Sequence, residues 1–331
     1  MASAAWGGAK HRTTTRIKPT TGEKACGFLA FRGLSAAPFA SEEEEHDMQL
    51  KHFQEQIFFA TVRITIPTNT GKGASIGTGF LYRVSVSKDQ HCILLVSNRH
   101  VYGDPTKPIQ LVFHRRDDKD PNRPQLGQTV ILADKKFESV FTGHPDSSID
   151  LACINISKIG HHQPPIFYKN LTDELMPDFQ HDRLLPGNDV WFVGYPENRF
   201  DTANNLPVLR RGYIASIPKV DFEGRSEFLI DAQVFPGSSG SPVFTSLGNQ
   251  FKLVGVVSQT MIKNEQLQAI PTGAALGVQQ ILGLGIVLKA SLLTPLLEAA
   301  TREIRDRLAA ETLEPTLGPE EEGEPIDSAD G

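Results

Sequence analysis

An all-β barrel or sandwich closed by one C-terminal helix is the fold class this sequence predicts. Three observations carry it: short apolar or alternating runs at regular spacing, turn residues between them, and one long amphipathic segment near the end. The runs include FFATVRITI (58–66), GTGFLYRV (77–84), HCILLVSN (91–98), IQLVFH (109–114), DLACINI (150–156), DVWFVGYP (189–196), LRRGYIASI (209–217), EFLIDAQV (227–234), PVFTS (242–246) and FKLVGVVSQ (251–259). Each has strand length and is bounded by Gly, Pro, Asn or Asp. The 28 Gly, 22 Pro and 19 Phe, against five Tyr and two Trp, favour turns and short strands over long helices. The helix is Leu292–Leu308, where Leu292, Leu293, Leu296, Leu297, Ala300, Ile304 and Leu308 fall on one face and Glu298, Arg302, Glu303, Arg305 and Asp306 mainly on the other. It should pack as a brace.

The ends of the chain read differently. From Glu311 onward there are eight acids, no Lys or Arg, and Pro315, Pro319 and Pro325, so residues 311–331 are expected to be a disordered acidic tail. Residues 1–47 form a leader whose cations, Lys10 to Arg32, are offset by the EEEEHD block at 42–47. It is expected to be disordered, the alternatives being an organelle transit peptide or a start at Met48. The net charge of −6 therefore belongs to the tail, and the segment between is close to neutral. That balance excludes nucleic acid as the main partner.

Three cysteines are too few for a disulfide scaffold, and a reduced, cytoplasmic setting is expected. Cys92 and Cys153 read as small buried hydrophobes. The most apolar stretch, Ala269–Leu288, contains Gln279 and Gln280 and stops at Lys289, so no membrane span is expected. No glycine-rich phosphate loop opens a helix, and neither the Arg115–Asp120 cluster nor His161–His162 has metal-ligand spacing, so no metal and no cofactor is expected.

Chemistry concentrates in three segments. LLVSNRHV ends a strand at His100, HPDSSIDLACINI places Asp150 before a strand, and FPGSSGSPVF sets Ser239 between Gly237 and Gly240. Acyl transfer by a serine needs a base within reach of the hydroxyl, an acid that fixes the base's tautomer, and donors for the oxyanion. The glycines allow the sharp turn that aims the Gly237 and Ser239 amides at one spot. A lone His, a strand-heading Asp or a Gly/Ser loop is common, but all three in this order are not. The order His, Asp, Ser also differs from the α/β-hydrolases, where serine comes first.

These motifs resemble a trypsin-like serine peptidase of the chymotrypsin fold, nearest to the bacterial HtrA-like and glutamyl-endopeptidase-like branches, over about residues 55–290. GTGFLY, SNRHV, SIDLACI, GYP (194–196), RRGYIASI, PGSSGSPVF and LVGVVSQ carry the likeness. The resemblance implies two six-stranded antiparallel barrels, residues 48–175 with His100 and Asp150 and residues 176–290 with Ser239, then a helix at 291–310. It implies His100 as general base, Asp150 as its orienting acid, Ser239 as nucleophile, and the Gly237 and Ser239 amides as the oxyanion hole. Ser258 takes the position whose hydroxyl supports the aspartate and whose backbone pairs with bound peptide.

Departures from the pattern sharpen the expectation. Val101 stands where secreted trypsins carry a cysteine. Ser238 replaces the aspartate that binds a newly cut N-terminus, so no zymogen step is expected. Gln233 falls at the pocket floor, Val257 where Glu-specific relatives place a histidine, and Thr260 where a small glycine usually keeps the pocket open, implying small or uncharged P1 side chains. Fewer than the ~90 residues of a PDZ domain follow residue 290. The expected partner is a protein or peptide substrate, oligomeric state is not indicated, and the alternative is a catalytically silent protease-like binding module.

Overall fold

A computed structural model describes residues 50–67, 73–180, 183–268 and 275–313. The leader and most of the acidic tail lie outside the described residues.

The first departure from expectation comes at the start. The run beginning at residue 58 is not all strand: α1 (Phe53–Ala60) is helical and β1 begins at Thr61. The Glu55 carboxylate accepts hydrogen bonds from the backbone N–H groups of Lys51 and His52, both at 3.1 Å, which secures the helix start. An apolar run such as Ile57–Ala60 serves a buried helix turn as well as a strand.

The N-terminal half contains β1 (Thr61–Pro67), β2 (Ala74–Ser85), β3 (His91–Ser97), β4 (Ile109–Arg116), β5 (Pro124–Asp134), β6 (Phe141–Gly143), β7 (Ala152–Asn155) and β8 (Ile166–Phe167). They pair in the order β5-β4-β1-β2-β3-β7-β6, with β8 on β4. A four-residue helical turn, α2 (Arg99–Tyr102), follows β3.

This sheet is not the closed barrel that was expected. Its two edges, β5 and β6, are consecutive in the chain, but residues 135–140 join them without a ladder. Here the backbone bends through a 3₁₀ turn at Glu138–Val140 and sends Phe137 inward, 2% exposed, against Tyr102 and Phe141. The Phe137 amide donates to the Pro105 carbonyl at 2.9 Å rather than to a strand. With β6 only three residues long, no register remains to close the circle.

The C-terminal half does close. β9 (Asp189–Gly194), β10 (Val208–Ile214), β11 (Glu227–Asp231), β12 (Pro242–Leu247), β13 (Gln250–Gln268) and β14 (Ala275–Lys289) form a barrel in the order β10-β11-β14-β13-β12-β9. Beyond Ile262 and Ile281, β13 and β14 continue as a paired ribbon.

The brace is present as α3 (Leu293–Leu313), entered through a 3₁₀ turn at Ala290–Leu292. Leu293, Leu296, Leu297, Ala300 and Ile304 are buried in one cluster with Phe80, Tyr82 and Leu94 of the first sheet and Phe244, Leu253 and Val256 of the barrel. One helix thus seals both halves against a common core. It also covers the exposed β6 edge: the Thr142 hydroxyl donates to Glu303 at 2.7 Å, and the Arg307 guanidinium donates to the Ser139 carbonyl. A groove of about 870 Å³ remains there, walled by Ile131, Phe137, Ile154, Ile304 and Leu308.

Candidate active site

His100 is presented by α2. The neighbouring Val101 and Tyr102 are buried, and the Tyr102 hydroxyl donates to the Leu95 carbonyl at 2.6 Å, so the turn is anchored and the His100 side chain faces outward, 50% exposed. Asp150 stands just before β7, where Leu151 is fully buried. Its Oδ2 lies 2.5 Å from His100 Nδ1, and its Oδ1 accepts from the His100 backbone N–H at 2.9 Å. A carboxylate on Nδ1 keeps the proton there and leaves Nε2 with a lone pair, the form a general base needs. Among the described residues Nε2 has no hydrogen-bond partner.

Ser239 sits in the turn between β11 and β12. The turn is built by the Ser238 amide on the Phe235 carbonyl and the Ser241 amide on the Ser238 carbonyl, both at 3.0 Å, and is tied to β13 by the Gly240 amide on the Val257 carbonyl at 2.8 Å. Both glycines have positive φ, 89° at Gly237 and 85° at Gly240. A Cβ on Gly237 would collide with the Tyr195 carbonyl, and one on Gly240 with the Thr78 carbonyl and Ser97 Oγ. The Gly237 and Ser239 amides have no acceptor among the described residues, as an oxyanion hole requires.

The Ser239 hydroxyl donates to the Ser258 carbonyl at 3.0 Å and not to His100. The reason lies in β13. Between Val257 and Gln259 the register against β14 slips, so Ser258 is an extra, bulged residue whose carbonyl is free to accept it. Ser258 is 3% exposed, and its own hydroxyl makes no hydrogen bond to Asp150.

The remaining expected positions separate. Thr260 sits two residues past the bulge, and its buried hydroxyl has no partner among the described residues. Gln233 is exposed between buried Ala232 and Val234, so its side chain does not form an enclosed floor. Ser238 is 1% exposed and its hydroxyl is likewise unpartnered among the described residues. Burial pushes the Cys153 thiol well above its ordinary value, which suits an inert core residue.

Sequence reading missed Thr78. Its amide donates to the Ser239 carbonyl at 3.0 Å and its hydroxyl to the Gly237 carbonyl at 2.8 Å, while its own carbonyl accepts from Ser97 Oγ at 2.6 Å. One β2 residue therefore pins the nucleophile turn to the strand that leads to His100. The signal was present in Gly77-Thr78-Gly79, since glycines inside a strand mark close approach: a Cβ at either would strike Val101, or Ile64 and Leu95.

Residues 77–256, more than half of the chain, match the family described as trypsin-like peptidase domain, and the chain belongs to that family. No curated protein matches the sequence. Among solved structures, the chain is similar to the serine endoprotease from Yersinia pestis at 16% identity and TM-score 0.44, covering 76% of this chain and 65% of that one. It is also similar to the active form of a protease from M. tuberculosis (20% identity, TM-score 0.40, 74% and 82% covered). A third is a catalytically inactive tobacco etch virus protease complexed with substrate (11%, 0.44, 77% and 87%).

Proposed function

We propose that the protein is a serine endopeptidase in which Ser239 attacks the substrate carbonyl, His100 is the general base and Asp150 orients it. The observation that supports this best is the double hold of Asp150 on His100, through ring Nδ1 at 2.5 Å and backbone N–H at 2.9 Å. In this reaction the Ser239 hydroxyl leaves the Ser258 carbonyl and turns to His100 Nε2 as substrate enters. His100 takes its proton as the acyl bond forms, the Gly237 and Ser239 amides receive the oxyanion, and the protonated ring then delivers the proton to the leaving amine. Water repeats the sequence on the acyl-enzyme. The vacated Ser258 carbonyl is then available to the substrate backbone.

Ser258 and Thr260, at and just past the β13 bulge, are the residues we place beside P1, and a small or uncharged P1 residue fits a site without a buried charge; Gln233, being exposed, is not its floor. A peptide-library cleavage profile tests that preference. The reaction itself is tested with a fluorophosphonate probe: the native chain should label, and Ser239→Ala and His100→Ala should not. If the native chain folds and does not label, the reading is wrong and a protease-like binding module replaces it.

A further inference from the structure

Among the described residues no side-chain hydroxyl holds the Asp150 carboxylate, yet both of its oxygens meet His100 in register. Their placement depends on the backbone of the loop that carries them, and residues immediately before His100 grip that backbone. Asn98 Nδ2 donates to the Asp150 carbonyl at 2.9 Å, and the Arg99 amide reaches the same oxygen at 3.3 Å. The Arg99 guanidinium then forks, Nη2 to the His144 carbonyl at 3.0 Å and Nη1 to the Ser147 carbonyl at 3.1 Å. Carbonyls 144, 147 and 150 are thus all held from positions 98 and 99. Gly143 makes room, since a Cβ there would press on Nη2 at 3.0 Å.

We propose that Arg99 is a positioning residue for the acid–base pair: its guanidinium fixes the 144–150 loop so that Asp150 meets His100 with the proton on Nδ1. The inference rests on the serine-peptidase reading. The guanidinium reaches the two carbonyls from two nitrogens held apart in one plane, whereas an ammonium has a single nitrogen. A lysine ammonium supplies charge without that geometry. Asp146, on the same loop, feels the guanidinium's charge, but among the described residues no carboxylate pairs with it directly, so its direct partners are the two carbonyls. The loop has braces of its own that would survive loss of Arg99. The Asp146 amide donates to His144 Nδ1 at 3.0 Å, and the Asp146 carboxylate accepts from the Ser148 amide and hydroxyl. The defect should therefore be misplacement rather than unfolding.

The test uses the full chain as Arg99→Lys, Arg99→Met and Arg99→Ala, with three readouts: the rate of Ser239 labelling by the fluorophosphonate, kcat and KM on a peptide substrate, and the downfield NMR resonance of the His100 Nδ1 proton. A loop shift near 1 Å should slow labelling by about 10²-fold in both the Lys and Met variants, through kcat rather than KM. The Nδ1 resonance should broaden or move while the melting transition stays cooperative. Added guanidinium should restore part of the rate to Arg99→Ala and none to His100→Ala. The proposal is overturned if Lys restores the native rate, if all variants label within twofold of native, or if rate falls only with the folded fraction. Should the native chain not label, the peptidase reading fails. The Nδ1 resonance would still decide the positioning role, by changing in the variants or staying as in the native chain.

Discussion

In the C-terminal half six strands hydrogen-bond around a full circle, whereas in the N-terminal half the ladder runs from β5 to β6 and stops. The barrel holds the Ser239 turn through backbone bonds at Phe235 and Val257, and Thr78 of the open sheet adds its amide and hydroxyl from across the junction. The open sheet holds His100 and Asp150 by different means: a plug, Phe137; a covering helix, α3; and side-chain clamps, Asn98 and Arg99. On the proposed reading, backbone bonds thus fix a nucleophile whose oxyanion donors are themselves backbone groups. The imidazole that on the same reading accepts and releases the proton sits where side chains set the geometry, and where substitutions can retune it.

The contact between the halves is the place to break this arrangement most completely. Gly240 lies where the nucleophile turn passes β2 and β3, and its left-handed backbone leaves no room for a methyl group beside the Thr78 carbonyl and Ser97 Oγ. Gly240→Ala should cost several kcal/mol and abolish Ser239 labelling, because both the strained φ and the backbone collision must be relieved by moving the turn. Chemical denaturation and probe labelling together check it. A variant with native stability and native labelling would show that the halves are not locked at this point.

Within each half the comparison sharpens through two phenylalanines. Phe228 is fully buried inside the closed barrel, and Phe137 is 2% exposed at the open seam. Phe228→Ala should cost about 3–5 kcal/mol, since a closed ladder cannot collapse onto the void. Phe137→Ala should cost about 1–2 kcal/mol less, because the adjoining groove lets neighbours and water fill the space. It should also raise amide exchange in β5 and β6 and leave β9–β14 protected. Equal costs and equal exchange would mean the seam is as rigid as the barrel.

What the sequence made legible follows the same division. Short apolar runs bounded by turn residues appear as strands, IQLVFH in β4 and the first five residues of EFLIDAQV in β11, and the Leu293, Leu296, Leu297 and Ile304 part of the expected stripe is buried on α3, while Leu292 falls in the preceding 3₁₀ turn and Leu308 is exposed. The three segments bearing His100, Asp150 and Ser239 stood out by residue type and order, and the pairing of His100 with Asp150 is the part of that expectation found in the structure. Closure was not readable. Whether β5 bends into β6 or stops at a 3₁₀ turn depends on Phe137 finding Tyr102, a contact between distant positions that no local pattern records. The Ser258 bulge escaped for the same reason, being a property of two strands in register. Arg99 and Asn98 looked like ordinary polar residues beside a histidine, since the carbonyls they grip are invisible in side-chain identity.

The last expected effect, spread over a pH window, concerns how the open sheet meets the other half. His114 on β4 is 4% exposed, packs edge-on against Phe59, and donates from Nε2 to the Asn204 carbonyl of the β9–β10 connection at 2.9 Å. Burial pushes this imidazole down from 6.5 to about 4, the hydrogen bond opposing in part. The unfolded chain then binds more protons than the folded one between those values. Stability from this group is intact above pH 6.5, falls as pH drops through the window, and levels off below about 4, a total of about 3 kcal/mol. His114→Phe keeps a ring in place and removes the titration. The urea midpoints of native and variant should therefore converge as pH falls from 7 towards 4.5, and native exchange should rise first in β4 and the 200–206 segment. If the difference between the two midpoints does not change with pH, His114 is not the acid-sensitive point of the contact between the halves, and the weakness of the open sheet must lie at its seam instead.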